Sequence, residues 1–275
     1  MDMNDTSPQH PLLTRRSMLL GLGMMAASGV VTACSKSAPS ASGATTATEN
    51  APTLASSTTV GSASAGAASC VLTAEQEQGP YWFHAAKVRS DITDGRPGVP
   101  MALEITVVDA TTCRPISGAG VDVWHADALG AYSNTADGLF LRGIQLTDAG
   151  GVARFNSIYP GWYPSRTNHV HLKVHIGGDA GATYTGGHVS HTGNLFFPED
   201  TSTALARAAA YLGNTARRVP LTQDFVYRGQ DGSGSIMTIV PIDGGDPMNG
   251  VRATMVVGVN PKATPVGIGI AGEVS

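Results

Sequence analysis

The run His169-Val170-His171 can do metal chemistry on its spacing alone. On a strand, residues i and i+2 face the same side, so both imidazoles would project together, their backbones about 6–7 Å apart. That suits two nitrogen ligands converging on one ion. It equally suits a polar strand face with solvent-exposed histidines. Val170, Leu172 and Val174 alternate with them and predict a core-facing side. Two tyrosines stand nearby in sequence. Tyr163 lies in a turn-rich run, Ile158-Tyr159-Pro160-Gly161-Trp162-Tyr163-Pro164-Ser165-Arg166, that feeds directly into the histidine strand. Tyr132 follows Trp124-His125-Ala126-Asp127-Ala128-Leu129-Gly130-Ala131, where a strand ends near His125 and a glycine turn presents the ring. Each tyrosine reads either as a phenolate ligand or as an ordinary wall or hairpin aromatic.

Short strands must position these groups. Met101–Asp109 is apolar and β-branched, and Gly120–His125, Val152–Ser157 and His169–Ile176 alternate. Asp224–Arg228, Ser235–Ile242 and Val251–Val259 are further predicted strands, separated by Gly, Pro and Asp clusters. The one predicted helix is Thr201–Leu212, with Thr201 as its cap and Gly213 just past its end. This pattern predicts an all-β fold, an antiparallel or mixed β-sandwich with long loops and one short helix.

The ends of the 275-residue chain read differently. Residues 1–34 predict an export signal: Arg15-Arg16 precede an uncharged apolar run from Met18 to Val31, too short to span a bilayer. Val31-Thr32-Ala33-Cys34 resembles a lipoprotein processing site, which would make Cys34 the lipidated N-terminus; an ordinary signal peptide is the alternative. In residues 35–69, 25 of 35 residues are Ala, Ser or Thr, so this segment cannot bury enough apolar surface to fold and predicts a disordered linker. Residues 70–275 then form one domain. A net charge of −4 without a basic patch argues against nucleic acid as a partner. In an exported domain, Cys70 and Cys113 predict a disulfide, worth on the order of 4 kcal/mol in the chain-entropy view. The predicted location is the cell envelope, periplasm or exterior, with membrane contact only through Cys34.

Together, Trp-x-Ala-Asp-x-x-Gly-x-Tyr ending at Tyr132 and Pro-Gly-x-Tyr-Pro-x-Arg-x-x-His-x-His ending at His171 resemble the intradiol ring-cleavage dioxygenases, as do Gln78-Gly79-Pro80-Tyr81 and the stretch from Gly193 to Asp200. The resemblance spans about residues 70–245 and fits the family's exported branch. It implies non-haem Fe(III) held by Tyr132 as axial tyrosinate, Tyr163 as equatorial tyrosinate, His169 and His171. It implies a catechol-type substrate whose ring opens between its two hydroxyl-bearing carbons with both atoms of O₂ incorporated. It implies that Arg166 stands beside the substrate and stabilises charge on the ring, and that Tyr163 leaves the metal and takes a substrate proton. Asn194 stands where the family usually has a glutamine near the ring. Ser165 replaces a tryptophan of the protocatechuate enzymes, so protocatechuate itself is not implied. Tyr81 and Trp82 read as pocket walls or core aromatics. Family members form dimers or larger assemblies, and a homodimer is the simplest expectation.

Two other readings compete. His125-x-Asp127 with His188 or His191 would make the facial triad of an Fe(II), 2-oxoglutarate oxygenase, but leaves the tyrosine spacing unexplained. A non-enzymatic surface β-sandwich that binds a ligand is compatible with the fold class. His175 continues the ligand face without an assigned role.

Overall fold

In the computed structural model, residues 71–85, 87–134 and 138–265 are described. The predicted signal and linker, with Cys34 and Cys70, lie outside them. Strand β1 (Pro100–Asp109) buries Met101, Leu103, Ile105 and Val107 and turns the residues between them outward, the period-2 pattern of a sheet with one core face. It pairs antiparallel with β4 (Val152–Ile158) and parallel with β8 (Val251–Val259); β8 pairs with the short β7 (Thr238–Pro241). The order of this first sheet is β4-β1-β8-β7.

The second sheet has the order β3-β2-β5-β6 and is antiparallel throughout. Its members are β2 (Gly120–Trp124), β3 (Arg142–Leu146), β5 (His169–Ala180) and β6 (Tyr184–Phe196). Val121 and Val123 from β2 and Val170, Leu172 and Val174 from β5 meet Leu103, Ile105, Val107, Ala253 and Val257 of the first sheet in one core. Each such Val, Leu or Ile side chain contributes about 1.5–3 kcal/mol through burial. The fold is the expected all-β sandwich.

The outer face of the second sheet is also covered. From Thr73, hydrogen-bonded to Gly258 of β8, the N-terminal segment passes to the β6 edge, where Gln76 pairs with Thr192. It then crosses the sheet to the β3 edge, where the Arg89 N–H donates to the Ile144 carbonyl and the Ile144 N–H to Lys87. Under this strap Lys173, a strand cation that ordinary exposure would favour, packs 3.6 Å from the Trp82 ring centre and donates to Gln78.

Three sequence expectations are corrected. Asp224–Arg228 is not a strand: Phe225–Gly229 is a short helix (α2), because the Asp224 carboxylate caps it by accepting the N–H groups of Val226 and Tyr227. The long helix over Thr201–Leu212 is shorter: α1 spans Glu199–Leu205, and Ala209–Tyr211 is a separate 3₁₀ turn. The break lets Tyr211 reach the core, where its hydroxyl donates to the Tyr159 carbonyl and accepts the Val99 N–H. Thr201 therefore lies inside α1, whose cap position is Pro198. Strands β3 and β6 were not anticipated. The β6 sequence YTGGHVSHTGNLF is poor in strand formers and is held by its ladder with β5, bulged at Val174/His175.

Candidate active site

Two loops at one end of the second sheet interlock to present the tyrosines. Asp127 organises the first: its carboxylate accepts the Leu129 and Ala131 N–H groups, and its carbonyl accepts those of Gly130 and Gly161. Gly130, at φ +87°, passes so close to the second loop that a Cβ would lie 2.3 Å from the Trp162 carbonyl oxygen. Gly161 has the reciprocal constraint, its Cβ falling 2.4 Å from the Asp127 carbonyl oxygen. The Ala-Asp-x-x-Gly and Pro-Gly elements are thus the two halves of one junction that sets Tyr132 against Tyr163, whose ring centres are 5.5 Å apart.

On β5, His169 and His171 point to the same outer face, with their Nε2 atoms 3.1 Å apart. The Tyr163 and Tyr132 hydroxyls lie 3.2 and 3.4 Å from the His169 Nε2. Both histidines are buried, not solvent-exposed. His169 Nδ1 sits 2.6 Å from the Thr167 carbonyl; a carbonyl only accepts, so Nδ1 carries the proton and the Nε2 lone pair faces the cluster. The His171 ring stacks on Trp124 at 5.0 Å and an interplanar angle of 3°. On its other side Gly79, at φ +69°, approaches until a Cβ would be 3.0 Å from the ring. Tyr81 stacks on Tyr132 at 4.4 Å. Arg142, buried beneath, donates to the Ser133 hydroxyl and to the Tyr81 and Ser133 carbonyls, clamping the segment that follows Tyr132 to the strap.

Burial keeps all four groups uncharged in the protein alone. It pushes both imidazoles well below the usual histidine range, helped for His171 by neighbouring His169 and for His169 by Arg166. It pushes the Tyr132 phenol well up and the Tyr163 phenol up to about 12, against the pull of Arg166. Such a set of neutral donors fits a cation at its centre. Donors about 2.0–2.1 Å from one ion stand roughly 3–3.4 Å from each other, which is the spacing of these atoms. A trivalent ion reverses the phenols' tendency and holds them as phenolates. Among the described residues no group of three or more His, Cys, Asp or Glu is placed to hold a metal ion.

Beside the cluster opens a cleft of about 480 Å³, lined among others by Glu77, Pro80, Tyr81, Tyr163, Arg166 and Phe225. Arg166 is buried. Its Nε donates to Asp224 Oδ2 at 2.8 Å, its Nη2 to Asn194 Oδ1 at 3.0 Å, and its Nη1 lies 3.5 Å from Glu77 Oε1. Asp224 is fully buried and also accepts the Thr167 N–H, so one carboxylate fixes the arginine, the start of β5 and the cap of α2.

Comparisons with known proteins point to one family. A family model described as "Dioxygenase" matches residues 77–182. A dioxygenase crystal structure superposes with a TM-score of 0.64 at 30% identity, covering 71% of this chain and 97% of that one. An intradiol ring-cleavage dioxygenase from Tetranychus urticae gives 0.62 at 29% identity, over 71% and 98% of the two chains. This chain belongs to the intradiol ring-cleavage dioxygenase family. It is an enzyme of that kind, from a family that uses non-haem iron. The dioxygenase domain of a carbohydrate-binding fusion from Streptomyces sp. SirexAA-E also matches, at 28% identity and a TM-score of 0.49, over 68% and 96%. A comparison with curated proteins finds no match.

Within this intradiol dioxygenase, Tyr132, Tyr163, His169, His171, Arg166 and Tyr81 come together as the sequence implies. Asn194 does not reach the cleft lining. It is buried behind Arg166, donating to the Glu77 carbonyl and accepting from the arginine, because its strand position, opposite His171, lies under the strap. The facial-triad residues do not converge. His125 Nδ1 donates to Ala126, its Nε2 lies 2.7 Å from the Ser157 hydroxyl, and Asp127 is spent on its turn. Burial pushes the His125 imidazole down to about 4. His191 pairs with Glu75, His188 contacts the Pro261 carbonyl, and His175 packs on Tyr184. Cys113 occupies the turn after β1 at φ +60°; its expected partner, Cys70, lies outside the described residues. Sequence reading missed Asp224, Glu77 and Arg142, and gave Gly79, quoted within a motif, no role of its own. Of these, Asp224 had a usable signal, an N-cap residue type ahead of Phe225-Val226-Tyr227.

Proposed function

We propose that Tyr132, Tyr163, His169 and His171 hold Fe(III), and that the enzyme cleaves a catechol-type ring between its two hydroxyl-bearing carbons, placing both atoms of O₂ in the product. The observation that carries this is the convergence of two phenols and two imidazole nitrogens at 3.1–3.4 Å beside an arginine-lined cleft. When bound, ferric iron draws electron density from a catecholate and makes its ring reactive toward O₂.

The chain's own residues do the rest. Of the two tyrosines, Tyr163 lines the cleft and Tyr132 does not. The Tyr163 oxygen is therefore the one placed to take a proton from a substrate hydroxyl. Tyr132, stacked under Tyr81, stays fixed. Arg166 is preorganised by Asp224 and Asn194 to face negative charge on the ring, an effect typically worth a few kcal/mol in a dry site. Tyr81, Pro80 and Phe225 give the ring apolar walls that exclude water.

The test is oxygen uptake by the iron-loaded protein against a panel of catechols, with product masses measured under ¹⁸O₂. The expected product is a dicarboxylate equal to substrate plus O₂, with label in both new oxygens. Ring opening outside the hydroxyl-bearing carbons, or a single labelled oxygen, would contradict the assignment.

A further inference from the structure

The cleft holds a carboxylate that ring opening does not require. The Glu77 side chain is only 6% exposed yet lines the cleft between Pro80 and Arg166. Its contact with Arg166, at 3.5 Å, is looser than that of Asp224 at 2.8 Å. Asp224 lies outside the cleft lining and already balances the guanidinium, while its other oxygen is taken by the start of α2. One guanidinium thus faces two carboxylates, and the surplus carboxylate is the one on the substrate side. Arg166 is the single cation among the lining residues, so a carboxylate on the substrate would meet no free counter-charge. Towards solvent the walls are aromatic: Tyr81 and Phe225 are 43% and 51% exposed.

We propose that Glu77 sets the charge specificity of the site, favouring catechols that carry a protonated amine on a short side chain, accepting neutral ones, and rejecting those with a carboxylate. The inference rests on the catechol reading given above. Discrimination by a repulsive group is effective where both charges lose water. The ammonium gains Glu77 as acceptor and the faces of Tyr81 and Phe225 as cation–π partners.

The experiment uses anaerobic calorimetry on the iron-loaded protein with 4-methylcatechol, 4-(2-aminoethyl)catechol and 3,4-dihydroxyphenylacetate, for wild type and Glu77→Gln. Wild type should bind the amine most tightly and the acid at least about tenfold more weakly than the neutral catechol. Glu77→Gln should shrink that acid-to-neutral gap by about tenfold and weaken the amine. Glu77→Asp keeps the charge and should keep the ranking, so a merely structural role would not reproduce the pattern. A ranking of the three ligands that is the same in wild type and Glu77→Gln overturns the proposal. Turnover of 4-methylcatechol, followed separately, tests the ring-opening reaction, and its failure leaves the binding ranking readable.

Discussion

The two sheets of the sandwich bury themselves differently. In the first, β1 alternates buried and half-exposed residues along its length, and its outer face meets water. In the second, β2 and the first seven residues of β5 are buried on both faces. Yet four of those seven β5 residues are polar: His169, His171, Lys173 and His175. Buried polar groups are costly unless partnered: Lys173 donates to Gln78 of the strap and His169 Nδ1 to the Thr167 carbonyl, whereas His171 Nδ1 and His175 Nε2 have no hydrogen-bond partner among the described residues. The first sheet is a scaffold whose sequence serves packing. The second has given up a solvent face to create a dry surface on which donors converge.

That contrast can be broken at graded points. The largest effect is expected from Arg166→Ala, which touches none of the four donors. It should lower turnover by about 10²–10³-fold while iron content and visible colour persist. It should also destabilise the fold by about 3 kcal/mol, because Asp224 is left buried and unpaired. Parallel steady-state kinetics, iron analysis and urea unfolding separate the two losses. Unchanged turnover would remove Arg166 from the chemistry.

Asp224→Asn comes next. Asparagine can still cap α2 through its oxygen but no longer pairs with the guanidinium. A drop of about tenfold in kcat/KM is expected, with the iron spectrum unaltered; kinetics equal to wild type would make Asp224 a helix cap alone. The smallest catalytic effect is expected in the first sheet. Leu103→Ala should cost about 3 kcal/mol by urea unfolding yet leave kcat/KM within about twofold of wild type at temperatures where the variant is folded. A large catalytic loss there would mean the sheets are coupled, and the scaffold description would be wrong.

How much was legible in the sequence follows the same division. β1 was read nearly to its ends from its apolar, β-branched run, and β8 from the run Val251–Val259 bounded by turn residues; both signals are local in the chain. The His169/His171 pair and its apolar complement Val170, Leu172 and Val174 were legible for the same local reason. The tyrosines became legible only as spaced motifs, and the junction explains that spacing: Gly130 and Gly161 must lack Cβ atoms for the loops to meet. What stayed hidden depends on distant partners. Asp224 lies 58 positions from Arg166, and its neighbours Phe225-Val226-Tyr227 look strand-forming until the carboxylate caps them. The glycine-rich β6 owes its conformation to the ladder with β5. Asn194 was placed near the ring by resemblance, whereas its contacts put it behind Arg166.

The central claim is that two phenols and two imidazoles form one iron site. It is tested most directly by metal analysis and visible absorption of the purified protein beside His169→Ala and Tyr132→Phe. The account predicts stoichiometric iron and a strong tyrosinate-to-iron band in wild type, loss of iron in His169→Ala, and a shifted, weakened band in Tyr132→Phe. Iron-replete wild-type protein that is colourless, or a Tyr132→Phe spectrum identical to wild type, would contradict it.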